Sequence, residues 1–176
     1  VVLTAGAVNS PQILQVSGVG DGARLHSLGV PVVVDRRDVG LNLQDHLGVY
    51  VQHRCLQPVT LYGLMRADRA LMAGLRALLF GSGPAASIPL EAGGFLKTRP
   101  DLELPDVHVT FVPGLSLATT QRGQMQHGFL TNLYQLRPES RGSILIGSAD
   151  PFAKPVIRAN YLTAEEDLRC LREGVR

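Results

Sequence analysis

His46 and His53 stand seven residues apart. If one strand held both, that odd spacing would turn them to opposite faces, so they make a poor metal pair. His108 falls inside one expected strand and His127 just before another, and core or surface histidines explain them better than metal ligation does. Cys55 and Cys170 are far apart and form neither a metal-type nor a redox-type spacing. Gln15-Val16-Ser17-Gly18-Val19 lacks both glycines of a nucleophile elbow. No P-loop is present. Gly18-x-Gly20-x-x-Ala23 only loosely follows the dinucleotide fingerprint, because a short helix is expected before it where a strand is required. The residues alone therefore supply no self-contained catalytic set and no metal site. Glu91 is the most unusual carboxylate. It stands among Leu90, Ala92 and Phe95, where burial would be costly unless an arginine such as Arg54 or Arg99 paired with it.

The elements that must position these residues follow from pattern. Val1–Ala5 is a short apolar run closed by Gly6, as in a buried parallel-type strand. Ser10-Pro11 offers a helix start, with Pro in the first position and the helix running to Val16. A second short helix spans Ala23–Leu28, and Pro31–Asp35 is β-branched and strand-like. Leu47–Cys55 alternates as a half-buried strand does. Leu61–Phe80 carries one apolar stripe and reads as a single amphipathic surface or lid helix, because Arg66, Asp68, Arg69 and Arg76 interrupt it too often for a membrane span. Strands are expected over Gly93–Thr98, Val107–Val112, Phe129–Leu136 and Ser143–Gly147, followed by a final helix carrying Leu168, Leu171 and Val175.

Composition agrees with a folded chain. Of 176 residues, 45% are hydrophobic and 18% charged, inside the globular range. A net charge of +2 gives no reason to expect a nucleic-acid or anionic-membrane partner. The first residue is Val, in what reads as a core strand, and Arg176 falls within a helical pattern. The expectation is an internal fragment of a longer protein.

One stretch is more specific than the rest. Gly6-Ala7-Val8-Asn9-Ser10-Pro11-Gln12-Ile13-Leu14-Gln15-Val16-Ser17-Gly18-Val19-Gly20 closely resembles the second signature of the glucose–methanol–choline (GMC) flavin oxidoreductases. Val39-Gly40-Leu41-Asn42-Leu43-Gln44-Asp45-His46 resembles the family's VGxNLQDH segment. Arg137-Pro138-Glu139-Ser140-Arg141-Gly142 resembles its RPxSRG strand entry, and Asn160-Tyr161-Leu162 its NYL segment. The segment Pro89-Leu90-Glu91-Ala92-Gly93-Gly94-Phe95 is similar to choline-dehydrogenase-like members.

The resemblance implies an α/β to α+β chain. Residues 1–46 would be the last part of an FAD-binding α/β segment. Residues 47–176 would be a substrate-binding cap with an antiparallel sheet and helices on one face. It implies FAD as cofactor and hydride transfer from a CH–OH group, with choline or a related alcohol as substrate and a quinone or oxygen as electron acceptor. Ala5, Gly6 and Ser10 are expected near the ADP part of FAD, because a glycine lets the backbone approach and a helix start supplies N–H donors. Glu91 is expected to meet a cationic substrate. Asp45 and His46 are expected to pin a turn by hydrogen bonds. The base histidine of the family follows the NYL segment and would lie beyond Arg176, so none of the five histidines is assigned that role. The resemblance implies a cytoplasmic or membrane-associated enzyme. The other reading is a non-catalytic binding or structural module derived from such a cap.

Overall fold

A computed structural model of the chain describes residues 1–88, 90, 92–115 and 126–176. They form two compact units, one of residues 1–46 with 138–168, the other of 47–137 with 169–176. Residues 138–168, which the sequence groups with the cap, thus fold with the N-terminal segment.

In the first unit α1 spans Gly6–Val16, β1 Val19–Gly20, α2 Gly22–Ser27, β2 Val34–Asp35 and β3 Leu41–Leu43, joined by β8 Gly142–Leu145 and β9 Val156–Arg158. Here two expectations fail. Val1–Ala5 is not a strand but an exposed segment, because no strand among the described residues pairs with it. The helix begins at Gly6 rather than at Pro11, which sits inside it. Proline has no N–H, so only the Ala7 carbonyl loses its i+4 donor, close enough to the helix start for the helix to tolerate it.

β1 and β2 pair in parallel through Val19↔Val34 and Gly20↔Asp35. Gly18 before them has φ +86°, and a Cβ there would meet the Pro31 carbonyl at 2.3 Å. Only glycine fits that crossing. Asp21 caps α2, its carboxylate accepting from the Ala23 N–H at 3.0 Å and the Arg24 N–H at 3.2 Å. Leu25, Val30 and Ile146 form the core here, with Val16 and Leu28 against them. β3, β8 and β9 make an antiparallel sheet in the order β3-β8-β9.

The second unit is built on an antiparallel sheet in the order β4-β7-β6-β5, with β4 Gly48–Arg54, β5 Ala92–Leu96, β6 Val107–Val112 and β7 Gly128–Gln135. Its hydrophobic core joins Val107 and Leu133 of the sheet to Cys170 and Leu171 of the final helix, α4 (Glu165–Val175). Gly174 allows the contact, since a Cβ there would lie 2.7 Å from Leu133 Cδ1. Leu61–Phe80 is not one helix. A 3₁₀ turn covers Leu61–Met65, Arg66 is extended with ψ 132°, and α3 runs over Ala67–Phe80. Arg66 breaks the hydrogen-bond ladder, while Gly81 at φ +58° closes α3 in the left-handed conformation.

Candidate functional site

In the first unit the start of α1 is chemically open. Ala5, the N-cap, makes no side-chain capping bond, and the first turn holds no acidic residue. Gly6 has φ +76°, with nothing within 4 Å of where a Cβ would be. The first amides of α1 thus lack an intrahelical partner, and the bare backbone can be approached closely. That donor set fits the phosphates or polar edge of a dinucleotide. Ala5 and Gly6 are exposed; Ser10 is half-buried in the body of α1 and does not cap it. Beside α1 lies a cavity of about 340 Å³, lined by Ala7, Pro11, Asn42, Gln44 and their neighbours. Asn42 is held at φ +61°, and Gly40 before it at φ +86°, where a Cβ would meet the Ile144 carbonyl at 2.2 Å. The VGxNLQDH-like segment therefore wraps tightly on β8.

Asp45 accepts from the His46 N–H at 2.9 Å and from the Tyr161 hydroxyl. The Tyr161 phenol is raised above its usual range, first by that hydrogen bond and then by burial and the carboxylate's charge. Two sequence-distant motifs are thus tied by one side-chain bond, with Asp45 holding the turn. Tyr161 is the half that spacing alone did not reveal.

The second unit presents a different surface. Strand neighbours alternate faces, so the face opposite Val107, Val109 and Leu133 carries Phe95, His108, Thr110, Asn132 and Tyr134. Phe95 and His108 stack with ring centroids 4.7 Å apart, and His108 and Tyr134 at 6.0 Å. Asn132 donates to the Tyr134 hydroxyl. Gly48 opposite leaves room for that ring, since a Cβ would come 2.8 Å from Tyr134 Cε1. Asn132 Oδ1 and Thr110 Oγ1, on paired residues, are buried without a hydrogen-bond partner among the described residues. Two orphaned polar atoms beside an aromatic stack suit a small molecule with both an apolar body and a hydrogen-bonding group. The alternation of Val107–Val112 held the signal for this face. Glu91 precedes β5 in sequence and lies outside the described residues.

GMC oxidoreductase family profiles match residues 1–48 and 138–176. Both ends of the chain match the GMC oxidoreductase family. The two GMC matches fall mainly on the segments that fold together as the first unit. The oxygen-dependent choline dehydrogenase of Pseudomonas fluorescens (strain Pf0-1) is 42% identical over all 176 residues, which cover 31% of that protein. The oxygen-dependent choline dehydrogenase of Brucella anthropi is 39% identical, again over the whole chain and 32% of its own length. The chain spans about a third of the length of these GMC relatives. A formate oxidase of Aspergillus oryzae, in a variant studied for FAD modification, superposes with a TM-score of 0.88 at 26% identity, over 97% of this chain and 34% of that one. Among the described residues no helix is long and apolar enough to cross a membrane.

Proposed function

We propose that this GMC chain is part of an FAD-dependent alcohol dehydrogenase or oxidase that acts on choline or a related alcohol. The observation that carries the reading is identity of about 40% along the whole chain to oxygen-dependent choline dehydrogenases, with GMC profiles matching both ends. FAD, when bound, takes the hydride from the alcohol carbon. This chain's share is to bind and orient. Ala5 and Gly6, with the free amides at the start of α1, lie against the ADP part, and Ser10 stands one turn further along. The face bearing His108, Asn132 and Tyr134 is turned to the substrate, and Glu91 meets its cation. The base that takes the hydroxyl proton is a histidine outside these 176 residues. Electrons leave to a quinone or to oxygen, in a cytoplasmic or membrane-associated enzyme.

Glu91→Gln tests the substrate half of this reading in the full-length enzyme. A charge-assisted contact is worth enough that KM for choline should rise about tenfold, while KM for a neutral aliphatic alcohol moves less than about twofold. Equal changes for the two alcohols would remove Glu91 from cation recognition.

A further inference from the structure

In the second unit, separate from the sheet face described above, a cavity of about 370 Å³ lies where the 3₁₀ turn passes into α3. Tyr62, Gly63, Arg66, Arg69 and His127 are among its lining residues. Among the described residues no carboxylate lines it. The closest acid in sequence, Asp68, is paired with Arg66 at 3.1 Å, and these two charges offset each other. Arg69 has no ion pair or hydrogen bond among the described residues. Its guanidinium reaches over Gly63, where a Cβ would meet Nη1 at 3.2 Å, so the glycine gives the fork its room.

His127 is anchored through one ring nitrogen. The Thr60 N–H donates to its Nδ1 at 3.4 Å, and the Thr60 hydroxyl lies 2.9 Å from the same atom. A backbone N–H can only donate, so in the neutral ring Nδ1 accepts and Nε2 carries the proton. Tyr62 packs edge-on against that ring, centroids 5.2 Å apart, and its hydroxyl has no hydrogen-bond partner among the described residues. Arg66 leaves the start of α3 without a side-chain cap. The cavity thus gathers a guanidinium fork, an imidazole N–H, a phenol and a helix start, all of which can donate, around a space the size of a small-molecule pocket.

We propose that this cavity is a binding site for a small oxyanion of the carboxylate or phosphate type. Arg69 supplies the charge and the forked donors, while Tyr62 and His127 fix the orientation. The site owes nothing to the flavin reading, and its test is independent of turnover.

The test is calorimetric titration of the flavin-saturated full-length protein with inorganic phosphate and, separately, with succinate at constant ionic strength. Saturable binding of either probe is expected; the probe that binds more tightly identifies the source of the oxyanion. Arg69→Gln should weaken it about tenfold, the effect of losing a charge-assisted hydrogen bond. Arg76→Gln, which alters a side chain bonded instead to Ser82 Oγ at 3.3 Å, should leave it unchanged. If Arg69→Gln does not fold, Tyr62→Phe decides: binding about threefold weaker supports the site. Saturation by neither probe, or wild-type affinity in the deciding variant, overturns it.

Discussion

Asp167→Ala lowers the unfolding free energy of the full-length protein by about 3 kcal/mol, since hydrogen bonds to a charged group are worth roughly 1.5–3 kcal/mol each. Asp167 is 2% exposed, and its two carboxylate oxygens accept from the Glu139 N–H at 2.7 Å and the Ser140 N–H at 2.9 Å. Those amides belong to the RPxSRG-like turn that leads into β8. Ser140 Oγ in turn accepts from the Ala164 N–H at 3.0 Å, so turn and helix entry hold each other. Alanine removes both acceptors and leaves one buried donor, the Ser140 N–H, and one part-buried donor, the Glu139 N–H, without them. Asp167→Asn restores one acceptor but turns an NH₂ toward the second N–H, so it should recover about half of the loss. Chemical denaturation of the three proteins checks this order, and a loss below about 1 kcal/mol for the alanine variant would contradict it.

Gln15→Leu is expected to cost a similar amount, about 3 kcal/mol, from three hydrogen bonds at roughly 1 kcal/mol each. Gln15 is 1% exposed inside α1. Its Nε2 donates to the Ile144 and Pro11 carbonyls, both at 3.0 Å, and its Oε1 accepts from the Ile146 N–H at 3.2 Å. One amide thereby ties α1 to β8 and to the residue after it. Gln15→Glu separates lost bonding from lost packing. It keeps the acceptor for Ile146 but sets carboxylate oxygen against two carbonyl oxygens, so at neutral pH it should be at least as damaging as leucine. A leucine variant within about 0.5 kcal/mol of wild type would show that shape alone fills the position.

These two residues show where sequence reading runs out. Gln15 reads as one more polar helix residue, and its burial depends on partners about 130 positions away. Asp167 reads as helix-start acidity, yet it serves the turn before β8. By contrast, Val107–Val112 and the strand after it were legible, because alternation is local and half-burial follows from it. The first five residues misled for the opposite reason: an apolar run carries strand character, but a strand needs a neighbour to pair with. Pro11 misleads because proline favours the first helical position, yet α1 tolerates it in the second turn. β3 and β9, three residues each, were too short to carry a pattern and exist through their pairing with β8. In the candidate site the motif residues were legible, while Tyr161 against Asp45 and the orphaned pair Thr110 and Asn132 needed the register and the third dimension.

The most direct measurement is anaerobic mixing of the purified full-length protein with choline while its visible flavin absorbance is followed. The expected protein is yellow as isolated and loses the oxidised-flavin band on addition of choline or a related alcohol, without any other reductant. A protein that retains no flavin, or whose flavin stays oxidised with choline, other amino alcohols and aliphatic alcohols alike, would contradict it.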